Sequence, residues 1–187
     1  SPQSVEDLAE ANTIPEIELN AMRLTGTIDL DGRILEELWF SAVPITDFTQ
    51  QEPVEGGVPS EKTEIRVLFD EDNLYIGFII YDDPEEVLAY QRERDATLST
   101  DDRFMWILDT FLDGRTGYFF EINAAGLMGD GILRSSGGSS YGGGRFGGGF
   151  SGGGANKAWD GIGEAPPAMR PDGCAAQVRV PFRTPNF

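Results

Sequence analysis

The sequence predicts an all-β fold: an antiparallel β-sandwich of the jelly-roll or immunoglobulin-like kind, with a short helix near residues 34–42 and a glycine-rich insertion. Three observations predict it. Apolar residues alternate with a period of two in several strand-length runs. Turn residues separate those runs at short intervals, and a helical period is almost absent, which together favour a sandwich.

Residues 1–13 are mostly polar and read as a flexible leader, leaving 14–187 as the domain. From Glu16 to Ala21, Ile17, Leu19 and Ala21 alternate with Glu18 and Asn20, which predicts a first strand that loses its phase at Met22-Arg23-Leu24. Gly26 and Asp31-Gly32 then punctuate the chain. Ile34 to Ala42, dense in Leu, Glu and Trp ahead of Pro44, predicts the short helix.

Ile65, Val67 and Phe69 alternate with Arg66 and Leu68. The acidic turn Asp70-Glu71-Asp72-Asn73 follows, and then the run Leu74 to Tyr81, so a hairpin is predicted. The second of these strands is apolar on both faces, which requires cover on both sides. Arg103 to Asp109 and Gly117 to Asn123 predict a second hairpin around Leu112-Asp113-Gly114, and Trp159 to Gly163 and Ala175 to Phe182 complete the strands. The expected core comprises Ile65, Val67, Ile76, Phe78, Phe104, Leu108, Tyr118 and Phe120. Residues 135–154 form an insertion, in which 11 of the 18 residues from Gly137 to Gly154 are glycine. Such a segment buries too little to offset its backbone entropy. Its aromatics, however, could dock to another chain.

Composition narrows the function. The 187 residues include 40% hydrophobic ones, enough for a real core. No apolar run approaches the roughly 20 residues of a membrane helix. The chain starts at Ser1, so an export signal is expected to have been removed ahead of it. One cysteine, Cys174, excludes an internal disulfide framework. No histidine is present, which removes His-based triads and His metal sites, and no phosphate loop is found. The net charge of −18, from 32 acidic and 14 basic residues, repels phosphate backbones and argues against a nucleic-acid partner. An enzyme is not expected.

The same charge invites hard divalent cations, calcium above all. The candidate ligands are Asp70 and Asp72 in the first hairpin turn, Asp82 and Asp83 after its second strand, and Asp101 and Asp102 before the next. Sugars are held by flat aromatic faces together with polar groups that reach hydroxyls. The candidates for that work are Trp106, Tyr118, Tyr141, Phe146 and Trp159, although Trp106 and Tyr118 also alternate as core residues do.

The order of motifs resembles that of carbohydrate-binding module family 9-like domains. The stretch from Asp31 to Trp39 is similar to their "D-G-x-L-D-E-x-x-W" opening: Glu36 and Trp39 match, Ile34 stands for the usual leucine and Leu35 for the usual aspartate. Thr63 to Asp82 resembles their central hairpin. Asp101 to Gly126 resembles the version at the N terminus of a family of large bacterial outer-membrane proteins that carry a domain of unknown function. Trp159-Asp160 and the closing "VRVPFRTPNF" resemble the last strands. The glycine insertion departs from the family. The resemblance covers about residues 15–187 and implies a noncatalytic, carbohydrate-binding-like module of an exported protein, whether extracellular, periplasmic or outer-membrane-associated, with a polysaccharide or oligosaccharide as partner. A membrane would be met only through a region beyond Phe187. The alternative is a structural domain that self-associates or docks through the glycine-rich loop and sheet edges.

Overall fold

The computed structural model of the chain describes residues 18–50, 53–88, 101–112, 116–134 and 167–182. In chain order the elements are β1 (Met22–Arg23), α1 (Glu37–Ser41), β2 (Thr63–Phe69), β3 (Asn73–Tyr81), β4 (Arg103–Leu108), β5 (Thr116–Asn123), β6 (Met128–Arg134), β7 (Ala168–Arg170) and β8 (Gly173–Pro181). They form a five-stranded sheet of order β1-β2-β3-β8-β7 and a three-stranded sheet of order β4-β5-β6. Among the described residues no helix is long and apolar enough to cross a membrane.

The β2–β3 hairpin forms where the alternation predicts it, with Ile65 opposite Phe78 and Phe69 opposite Leu74. Asp70 makes the turn: its Oδ1 accepts the amides of Asp72 and Asn73 at 2.8 and 2.7 Å, an Asx-type arrangement. The β5–β6 turn is built the same way, with Asn123 Oδ1 accepting the amides of Ala125 and Leu127 and Gly126 at φ 85°.

β3 is apolar on both faces because both are covered. On the inner face Ile65, Val67, Ile76, Phe78, Ala176 and Val178 meet Tyr118, Phe120 and Ile122 of the second sheet, with Phe104 and Leu108 packed against them partly buried. The predicted core residues therefore all lie between the sheets. On the outer face Leu68, Tyr75, Ile79 and Ala175 meet Ile34, Trp39 and Ala42. The segment around α1 is thus a third layer. The fully buried Gln177 fastens it: Oε1 accepts the Gly32 amide at 3.2 Å and Nε2 donates to the Arg33 carbonyl. Trp39 lies so close over Gly77 that a Cβ there would stand 2.7 Å from its ring.

Several details differ from expectation. Residues 18–21 are exposed and form no strand; β1 begins where the alternation breaks, and it pairs parallel with β2, Met22 opposite Leu68. Among the described strands the pairing is therefore antiparallel except at this edge. β6 and β7 were not expected. Gly129-Asp130-Gly131 lies within β6, and a side chain at Gly129 would meet Glu121 Oε1 at 2.9 Å across the ladder. The helix occupies only the second half of residues 34–42. The leader, the strand expected at Trp159 and the glycine-rich insertion lie outside the described residues.

Candidate functional site

β3 spans about 30 Å and separates two clusters of polar groups. At its start the Asp70 carboxylate is engaged within its own turn: besides the two amides, it accepts the Tyr75 hydroxyl at 2.7 Å. Burial opposes ionisation of Asp70, but the bonds from Tyr75, Asp72 and Asn73 outweigh it and hold the carboxyl below its ordinary value. Burial, and then the bond to Asp70, push the Tyr75 phenol up to about 12.

At the other end of β3, the outer face of the large sheet carries a strip of aromatic and charged side chains. Alternation along β2 puts Lys62, Glu64 and Arg66 on one side. Glu64 Oε1 accepts Lys62 Nζ at 2.6 Å and the Tyr81 hydroxyl at 3.3 Å, while Oε2 accepts Arg66 Nη1 at 2.8 Å. The Lys62 bond is the main reason that the Glu64 carboxyl lies below its ordinary value, and the same bond raises Lys62. Lys62 Nζ stands 5.0 Å from the centre of the Tyr81 ring, and the Arg170 guanidinium carbon stands 5.9 Å from it. Arg170 forks onto Asp172 through Nε at 2.8 Å and Nη2 at 3.1 Å, which lowers the Asp172 carboxyl. At the α1 end of the strip the Arg66 guanidinium lies 5.1 Å from the Phe40 ring, and Phe40 is 55% exposed. Arg66 Nε is buried without a hydrogen-bond partner.

Just inside this end, between the sheets, runs a slot of about 30 Å³ lined by Phe78, Ile80, Phe104, Ile122 and Cys174, with Asp82, Asp102 and Asn123 also on its wall. It has room for water and not for a sugar ring. Burial, and then the charges of Asp82 and Asp102, push the Cys174 thiol above its ordinary value.

The acidic residues expected to hold calcium are dispersed. Asp70 and Asp72 sit in the turn before β3, and Asp82, Asp83, Asp101 and Asp102 sit beyond its far end. Asp101 Oδ2 accepts Asn123 Nδ2 at 2.9 Å and Asp102 Oδ2 accepts the Leu88 amide at 2.7 Å. Among the described residues, no group of three or more Asp, Glu, His or Cys side chains converges to hold a metal ion. Of the aromatic candidates, Tyr118 is 7% exposed in the core, and Trp106 stacks on Phe120 and Phe104 at 5.2 and 5.4 Å. Their rings pack inside the sandwich. Tyr141, Phe146 and Trp159 lie outside the described residues.

Sequence reasoning missed Phe40, Lys62, Glu64, Tyr81, Arg170 and Asp172. Two signals were available. If Trp39 faces the sheet, its helical neighbour Phe40 must face away from it. Lys62, Glu64 and Arg66 at a spacing of two place three charges on one strand face, which is conspicuous in a chain with only 14 basic residues.

No protein-family model matches the sequence, and no curated protein matches it. Solved structures do. A carbohydrate binding module family 9 from Caldicellulosiruptor kristjanssonii in complex with glucose superposes with a TM-score of 0.55 at 13% identity, over 87% of this chain and 69% of that one. The same organism's family 9 module in complex with cellotriose gives 0.53 at 13% identity, over 87% and 67%. The fold is similar to family 9 carbohydrate-binding modules. In this family 9-like sandwich, the strip from Phe40 to Asp172 offers an exposed aromatic ring beside hydrogen-bonding charges.

Proposed function

We propose that the protein is a noncatalytic glycan-binding module and that its ligand lies along the Phe40–Tyr81 strip. The likeness of its fold to two sugar-bound family 9 modules carries the reading. The strip supports it: Phe40 offers an apolar ring to a sugar's C–H face, and Lys62, Arg170 and Asp172, all with exposed surface, reach hydroxyls. A hydrolytic role finds little support there. Glu64 is held by three donors and Asp172 by the Arg170 fork, so neither carboxylate has the apolar pocket that keeps a general acid protonated. An exported, envelope-associated setting is proposed along with this reading.

The test is calorimetric titration with cello-oligosaccharides and a panel of soluble polysaccharides, on the parent chain and on Phe40→Ala. Saturable binding that weakens about tenfold in Phe40→Ala, equivalent to about 1.4 kcal/mol, is expected. Undiminished binding by Phe40→Ala would move the site elsewhere, and no binding to any glycan would overturn the function.

A further inference from the structure

We infer that the strip selects acidic glycans, those whose sugars carry a carboxylate, over the neutral sugars bound by its structural neighbours. The inference rests on the strip being the glycan site. Its ground is the excess of donors over acceptors there.

Neutral sugar hydroxyls both give and take hydrogen bonds, and a site for them balances donors with acceptors. Here three cations face two carboxylates, in a chain whose net charge is −18. Both carboxylates are already engaged, Glu64 by Lys62, Arg66 and Tyr81, and Asp172 by Arg170. The donors are not exhausted. Lys62 has three N–H groups and gives one of them to Glu64, with its side chain 59% exposed. Arg170 gives Nε and Nη2 to Asp172 and has Nη1 to spare.

Two aromatic rings place these cations. Lys62 and Arg170 both stand over the Tyr81 ring, and Arg66 stands over Phe40. An acceptor-only, planar anion matches a guanidinium edge with an ammonium beside it. Asp172 already occupies one edge of Arg170 in that manner, 50% exposed, and so marks the geometry that a ligand carboxylate would adopt or compete with.

The experiment compares oligogalacturonate with cello-oligosaccharide of equal length, at low and high salt, on the parent chain and on Lys62→Gln, Arg170→Gln and Asp172→Asn, with the melting temperature of each variant recorded. Oligogalacturonate should bind at least about tenfold tighter than the neutral oligomer at low salt and lose that margin at high salt. Lys62→Gln and Arg170→Gln should each weaken it several-fold and weaken the neutral oligomer by a smaller factor, and Asp172→Asn should strengthen oligogalacturonate binding. Asp172→Asn gains affinity by removing a competitor, so an effect of misfolding cannot imitate it. Free glucuronate should displace the oligomer, and inorganic sulfate at equal concentration should not. Equal or better binding of the neutral oligomer overturns the acidic preference and leaves the glycan site standing. Displacement by sulfate as readily as by glucuronate overturns the carboxylate as the recognised group. Binding of neither oligomer overturns this inference together with the reading beneath it.

Discussion

Gly77→Ala is the sharpest probe of the third layer. Glycine inside a strand ordinarily costs about 0.5–1 kcal/mol relative to alanine, so the substitution taken alone should stabilise β3. At this position the new Cβ would stand 2.7 and 2.9 Å from two ring carbons of Trp39 and 3.0 Å from Ile34 Cδ1. Trp39 is fully buried and its segment is fastened through Gln177, so the ring cannot step aside without loosening the layer. Overpacking of this kind costs about 1–3 kcal/mol, which outweighs the backbone gain. For a chain of this length that amounts to a few degrees of melting temperature, at about 2–4 °C per kcal/mol. Trp39→Ala alone should cost about 3–5 kcal/mol. In that background the obstacle is gone, and Gly77→Ala should become neutral or stabilising. Urea denaturation of the four proteins in the cycle, with slopes checked for constancy, measures the coupling. A cost for Gly77→Ala that is the same with and without the tryptophan would refute the claim that Trp39 dictates glycine here.

Three further outcomes follow from the charged and buried groups. The folded-state value of Glu64 is depressed, so its stabilisation is present above about 4.5 and is lost as pH falls through the lower folded value; Glu64→Gln should flatten the acid limb of a stability–pH profile, and an unchanged limb would contradict the clamp. The Cys174 thiol, buried and raised, should react slowly with a disulfide reagent at neutral pH and quickly in denaturant, and rapid native labelling would show the slot to be open. Asp70→Ala should destabilise by about 1–3 kcal/mol and bring the Tyr75 phenol down from about 12, read by ultraviolet titration; a phenol that stays high would assign the shift to burial alone.

Alternation revealed the sandwich wherever one face of a strand meets the core, as in Ile65, Val67, Ile76 and Phe78. It revealed that β3 is covered twice, but not by what: the covering segment is a near-irregular chain held by Trp39 and by Gln177, whose polar side chain gives no core signal in sequence. β6 was hidden because glycine interrupts its alternation, and at Gly129 a side chain would meet the neighbouring Glu121. The site was less legible still. Tryptophan is the residue first considered for sugar stacking, yet Trp39 and Trp106 are used by the packing, and the ring exposed on the strip is Phe40. The strip joins residues 40, 62–66, 81 and 170–172, which only the pairing of β2 with β3, and of β3 with β8, brings together. The acidic turns stood out by composition, but Asp70 and Asp102 have local backbone amides as partners.

Amide shift mapping by NMR during titration with oligogalacturonate tests the central claim most directly. The account predicts saturable shifts that are largest at Phe40, Lys62, Tyr81 and Arg170 and small at the Asp70 turn, which lies at the opposite end of β3 from Tyr81. Shifts centred on the Asp70 turn or on the three-stranded sheet, or a spectrum unchanged by any glycan, would contradict it.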